Sequence, residues 1–286
     1  MAGRRSGSLA LALLLLTAGC GGFAPGAGDG GTGLTPAPVP TAGEAYPPGI
    51  GASGVVDPQT LARAHERTLE NASYRLHSNR STYFTNGSVR SRIDLTLHLS
   101  RDRHHRAVVR TAGPHGPVIL GRPPASAVYW SNRSLYASRL IRGDRTLYSV
   151  TSDASAPVAT WSYWAGTAAF GGESSYAAAR YAGFFRDIPT TVAGSRTRNG
   201  TTYYRLRGRG TEATAFAADP VDAVGPAGPG PMLRATVSED GLVRSLHLRY
   251  RAFDDGAEYT VDWRVRYRQV RNVTVTEPAW LDRALE

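Results

Sequence analysis

Val261-Asp262-Trp263-Arg264-Val265-Arg266-Tyr267-Arg268 puts Val261, Trp263, Val265 and Tyr267 on one side and Asp262, Arg264, Arg266 and Arg268 on the other. A period of two with one apolar and one polar set is a strand with one face buried and one wet, the mark of an antiparallel sheet. The stretch from Val89 to Leu99 repeats the pattern: Val89, Ile93, Leu95, Leu97 and Leu99 share one side, and Arg90, Arg92, Asp94, Thr96 and His98 share the other. Tyr74 to Phe84 is a poorer copy, because its alternate set is Tyr74, Leu76, Ser78, Arg80, Thr82 and Phe84. Turn pairs and triplets separate these segments: Asn86-Gly87, Arg142-Gly143-Asp144, Asn199-Gly200, Asp240-Gly241 and Asp255-Gly256. Each joins neighbours by a short hairpin. Spacings near ten residues predict a meander of about eight to ten strands.

Two stretches read as helices. Asp57 is a capping residue, Pro58 suits the first helical position, and Leu61, Ala64, His65, Thr68 and Leu69 fall on one face. Between Gly172 and Asp187, Ala177, Tyr181, Phe184 and Phe185 form a second stripe, which Pro189 ends. Pro278-Ala279-Trp280-Leu281 reads as a last helical turn that plugs one end of the fold. An apolar sheet face must be covered, and these helices are what the chain has to cover it. The predicted fold is therefore α+β: a curved antiparallel sheet, a half-barrel meander, wrapped round an N-terminal and a central helix.

The beginning of the chain carries different information. Arg4 and Arg5 precede Leu9 to Ala18, nearly all Leu and Ala, and Thr17-Ala18-Gly19-Cys20 closes the run. A charged segment, an apolar core and small residues before a cleavage point make a signal peptide over residues 1–19. Ten apolar residues span roughly 15 Å as a helix, about half the hydrocarbon thickness of a bilayer. Cys20 is the single cysteine, so a disulfide framework and a cysteine-built zinc site are excluded. Residues 20–56 form the predicted tether: from Gly21 to Val56 the chain is mostly Gly, Ala, Pro and Thr. Such a composition buries too little to fold, and its coil reach is roughly 30 to 36 Å. The remaining residues, 57–286, suffice for one domain.

All six asparagines, Asn71, Asn79, Asn86, Asn132, Asn199 and Asn272, are followed two residues later by Ser or Thr with no intervening Pro. Each is a glycosylation acceptor pattern, although Asn86-Gly87 and Asn199-Gly200 are also accounted for as turns. The 33 basic residues are all arginine, against 23 Asp+Glu, for a net charge of +10. Such a surface suits anionic lipid or acidic glycan, and an exported address disfavours nucleic acid. Arg90, Arg92, Arg205, Arg207, Arg249, Arg251, Arg264, Arg266 and Arg268 occupy polar strand positions, giving a basic stripe if these strands are neighbours.

The run ending at Cys20 resembles the lipobox of bacterial and archaeal lipoproteins, whose cysteine becomes the lipidated N-terminus. The whole chain resembles haloarchaeal surface lipoproteins of unknown function, on its lipobox and tether, the helix Leu61-Ala-Arg-Ala-His65-Glu-Arg-Thr-Leu69, the Ser73-Tyr74 strand opening and the ending Pro278-Ala279-Trp280. Its fold pattern is distantly similar to the half-barrel of the carrier LolA and of mycobacterial lipid-binding lipoproteins. That resemblance implies a cavity for acyl chains, and a protein lipid-anchored through Cys20 on the extracellular face of the cell membrane.

Catalytic signatures are missing from the sequence: no Gly-x-Ser-x-Gly elbow, phosphate-cradling Gly loop or His-Glu-x-x-His occurs. No cofactor is implied. His104 and His105, with His98 nearby, are metal candidates only superficially, because adjacent strand residues point to opposite faces. His65 reads as a core histidine that satisfies a buried partner. Trp161, Tyr163, Trp164 and Phe170 read either as core filling or as the mouth of a pocket, with the Gly/Pro/Ala segment from Ala217 to Pro231 as its lid. The resulting expectation is a non-catalytic lipoprotein that binds a hydrophobic or lipid-like ligand, with Trp161, Trp164 and Phe184 as lining. A structural or adhesive envelope glycoprotein without a small ligand is the alternative.

Overall fold

The structure is a computed structural model that describes residues 46–152, 157–168, 175–210, 230–254 and 256–286. The signal segment, Cys20, Phe170 and the proposed lid over 217–229 lie outside the described residues. A two-stranded hairpin, β1 (Ile50–Gly51) and β2 (Gly54–Val55), precedes helix α1 (Pro58–Glu70). Six strands follow: β3 (Tyr74–Phe84), β4 (Val89–Leu99), β5 (His105–Ala112), β6 (Ala125–Ser131), β7 (Tyr136–Arg142) and β8 (Arg145–Thr151). Helices α2 (Trp161–Thr167) and α3 (Ser175–Asp187) come next, then β9 (Thr190–Arg198), β10 (Thr201–Arg209), β11 (Met232–Ser238), β12 (Val243–Asp254) and β13 (Ala257–Arg268). Helix α4 (Leu281–Leu285) ends the chain.

The last eleven strands form one antiparallel sheet in the order β8-β7-β6-β5-β4-β3-β13-β12-β11-β10-β9. It is two meanders joined along β3 and β13, open at β8 and β9, so the expected curved antiparallel sheet with helices on its apolar face is observed. Its eleven strands exceed the expected eight to ten. The chain leaves one edge at β8 and re-enters at the opposite edge at β9, and α2 and α3 occupy that crossing.

Register converts the period of two into two chemically opposed faces. One row runs through all eleven strands as Leu147, Leu140, Ala127, Val109, Leu95, Ser78, Val265, Leu246, Ala235, Leu206 and Val192. Only Ser78 is polar, and its hydroxyl accepts the Trp263 indole N–H at 3.3 Å. The adjacent row, one residue along, contains Arg110, Asp94, Asn79, Arg264, His247, Arg234 and Arg207. A one-residue slip would exchange the two rows, so burial of the first fixes the register.

Helix α1 forms for the reasons its sequence gives. Asp57 accepts from the Thr60 backbone N–H at 3.0 Å, Pro58 opens the first turn, and Leu61, Ala62, Ala64, His65 and Leu69 are buried. His65 is a core histidine, as expected. Its Nδ1 accepts from Val243 N–H at 3.3 Å, and its ring stacks on Tyr181 at 4.8 Å and meets Tyr267 edge-on at 5.1 Å. On the opposite face of the sheet, Trp280 and Leu281 cover Val128, Trp130 and Ala137 of β6 and β7, so the C-terminal turn, expected to plug an end, instead covers part of the outer face.

Residues 46–56, assigned from composition to the tether, instead belong to the folded unit. Ile50 is buried, Tyr46 packs on Tyr204 at 5.6 Å, and the Val55 N–H donates to the Thr190 hydroxyl at 3.0 Å. Gly54, at φ +129, lies so close to the Thr190 carbonyl that a Cβ would fall 1.9 Å from its oxygen. The glycine that reads as flexibility is there for close approach.

Candidate functional site

Helix α2 is capped by Thr160, whose hydroxyl accepts from the Tyr163 N–H at 3.3 Å. That cap points Trp164 at the sheet. Trp164 is wholly buried, donates from Nε1 to the Val158 carbonyl at 2.9 Å, and lies against Tyr129 of β6 at 4.5 Å and Tyr163 at 4.9 Å. Trp161, one turn away, is half-buried under the Arg103 guanidinium at 5.0 Å. Phe184 comes from α3 and packs edge-on against Trp263 of β13 at 5.8 Å. Tyr129 and Trp263 stand four strand steps apart, about 19 Å. The three residues expected to line one pocket are thus distributed: Trp164 and Phe184 fill the core beneath separate helices, and Trp161 borders solvent.

Beyond Trp164 the apolar row continues with less cover. Leu140 of β7 is half-buried, and Leu147 of β8, directly opposite it, is 51% exposed. The helix-facing surface from Tyr129 through Leu140 to Leu147 is an apolar ledge bounded on one side by α2 and on the other by the sheet edge. Neither leucine had been singled out in the sequence. Their place on the helix-facing side depends on the register of β6 to β8, and their exposure depends on where α2 stops.

The helix-facing side also holds arginines, among them Arg80 and Arg90. Arg80, 5% exposed, lies over the Trp263 ring at 5.4 Å. Arg90, expected on the wet face of β4, is turned inward by a bulge opposite Thr82 and Tyr83, and its guanidinium rests 4.5 Å from the Tyr259 ring. His105 is buried on this side, and burial lowers its pKa to about 4. His98 faces the other way between Arg75 and Arg106. Burial first, then these two cations, bring its pKa to about 4. His104 precedes the strand that His105 opens, so these histidines do not converge. Among the described residues, no three His, Cys, Asp or Glu side chains gather where a metal could be held.

The outer face carries the basic stripe expected of it, and there a groove of about 360 Å3 opens over β10 to β13. Arg205, Arg207, Arg234, His247, Arg264 and Arg266 line it. Arg234 and His247 supply the two intervening strands. Neither stands out in the sequence, where nothing tells that β11 and β12 lie between β10 and β13.

Among the described residues no helix is long and apolar enough to cross a membrane. No curated protein matches the chain. Solved structures it is similar to include LprF from Mycobacterium bovis, with 11% identity and a TM-score of 0.38 over 80% of this chain and 100% of that one. Another is the Mycobacterium tuberculosis lipoprotein LppX, with 8% identity and a TM-score of 0.36 over 77% of this chain and 98% of that one. A LolA superfamily protein from Nitrosomonas europaea gives 10% identity and a TM-score of 0.23 over 77% of this chain and 96% of that one. A family profile matches residues 5–284, nearly the entire sequence, and the chain belongs to that family, the family of unknown function DUF7537.

Proposed function

We propose that this chain is an exported, non-catalytic lipoprotein, held at the outer side of the membrane through Cys20, that binds a hydrophobic ligand against the apolar side of its sheet. The observation that carries this reading is the exposed end of the apolar row. The row remains apolar to its last member, and Leu147 meets solvent on the helix-facing side. An apolar strip beside a half-covered aromatic wall, with Arg142 and Arg145 two residues along on the same face, suits an acyl chain or similar ligand.

The test is uptake of a fluorescent fatty acid by the full chain. Saturable binding near one equivalent is expected, weakened about tenfold by Leu147→Glu, which alters an exposed position and leaves the core intact. No uptake and no copurifying lipid would overturn the carrier reading. The packing of Trp164 and Phe184 as core filling would then favour the structural envelope role.

Glycosylation belongs to the same reading and divides the six acceptor sites. Asn71, Asn86, Asn199 and Asn272 are exposed and Asn132 is half-buried, whereas the Asn79 amide on central strand β3 donates to the Asp94 carboxylate. Intact mass and glycopeptide mapping of native material should find glycan at exposed sites and none at Asn79. Absence of glycan at every site would remove this part of the proposal.

A further inference from the structure

On the face opposite the proposed ligand ledge, we infer that the groove over β10 to β13 is a docking site for a linear polyanion bearing carboxylate or sulfate groups, that is, an acidic glycan chain. The inference is independent of the hydrophobic-ligand reading and of the lipid anchor.

Strand register sets the charges in two rows. In the first, Arg207, Arg234, His247 and Arg264 occupy consecutive strands, each opposite the next. In the second, two residues along, Arg205 and Arg266 stand at the ends, with Thr236 and Ser245 between them. The site is therefore about 14 Å across the strands and about 7 Å along them. Arg207 and Arg234 are directly opposed like charges, an arrangement that destabilises a sheet unless something neutralises it. Asp262 neutralises one end: its carboxylate lies 3.0 Å from Arg264 Nε and 3.0 Å from His247 Nε2. Among the described residues, no carboxylate lies within ion-pair distance of Arg205, Arg207, Arg234 or Arg266. All four are exposed, yet they line a recess.

That geometry selects the occupant. A membrane is a plane and meets the most projecting side chains, whereas cations lining a recess are reached by something narrow. An extended chain with repeated charges can engage both rows at once, and planar guanidinium forks match carboxylate and sulfate oxygens pairwise. Arginines continue past the groove along the same face, where Arg268, Arg75 and Arg106 stand on β13, β3 and β5. A longer polymer would keep meeting cations there.

The test uses the full chain with three probes at matched ionic strength: a heparin-derived hexasaccharide, inorganic sulfate, and phosphatidylglycerol–phosphatidylcholine vesicles. The hexasaccharide should bind, and more weakly as salt rises. Arg207→Gln with Arg234→Gln should weaken it at least tenfold. Arg205→Gln with Arg266→Gln should do the same and reads the groove independently if the first pair disturbs the strands. Arg145→Gln with Arg283→Gln, exposed and outside the groove, removes equal charge and should change binding less than twofold. Equal losses from the control pair would reduce the effect to net charge and overturn the site. Sulfate binding as tightly as the hexasaccharide would make it a small-anion site instead. Vesicle binding lost with the groove pairs, without hexasaccharide binding, would replace the glycan by a membrane surface.

Discussion

The row of residues through Leu95 and the row through Asp94 are one residue apart on the same strands, yet one is apolar on every strand but β3 and the other is built largely from arginine and its partners. The helix side gains its stability from area removed from water. Away from the patch that Trp280 and Leu281 cover, the outer side contributes little to folding, because exposed ion pairs such as Arg251 with Glu258 at 3.4 Å are worth about 0 to 1 kcal/mol. What the difference teaches is a division of labour: substitutions on the helix side and under Trp280 should be read as stability, those on the arginine-lined part of the outer face as binding. Only at the β7–β8 end does the apolar side also become available to a partner.

The largest effect tests the first half of that division. Trp164→Ala removes a fully buried indole and its hydrogen bond to Val158, and should cost about 3 to 5 kcal/mol in urea unfolding. Arg234→Ala, at an exposed outer position, should stay within about 0.5 kcal/mol. Comparable losses from both would break the contrast.

A second test uses pH. His105 is buried neutral, with its pKa lowered from 6.5 to about 4. The unfolded chain therefore binds the proton first, so this contribution is complete above pH 6.5 and is lost as pH falls toward 4. The shift is worth at most about 3 kcal/mol. Urea midpoints at pH 7 and pH 4.5, compared with those of His105→Asn, should show a smaller acid loss in the variant. Parallel losses would remove His105 as the cause.

The smallest effect sharpens the account of α1. Asp57→Ala deletes the cap on Thr60 and should cost about 1 kcal/mol without altering either binding face. A larger loss would mean that Asp57 also secures the preceding hairpin.

Much of this architecture was legible because its signals are local. The alternation matches the observed spans of β3 and β4 and the Val261–Arg268 part of β13, and the turns at Asn86-Gly87, Arg142-Gly143-Asp144, Asn199-Gly200 and Asp240-Gly241 all fall at hairpins. At Asn199 and Gly200, φ values of 50° and 76° are the left-handed pair that Asn-Gly turns favour. What the sequence hid depends on distant partners. The β1–β2 hairpin is stabilised by Thr190, 135 residues away from Val55, and its Gly and Pro content imitates a linker. Arg90 follows the outward alternation of β4 until a bulge turns it under Tyr259. The groove required knowing that Arg234 and His247 lie between Arg207 and Arg264. The ledge required knowing that the helices stop short of Leu147.

Native mass spectrometry of the gently purified full chain, with lipid extraction of whatever accompanies it, tests the central claim most directly. The account predicts a stoichiometric apolar passenger that is lost in Leu147→Glu and retained in the Arg207→Gln, Arg234→Gln pair. A bare mass for the unaltered chain, or a passenger retained by Leu147→Glu and lost with the arginines, would contradict it.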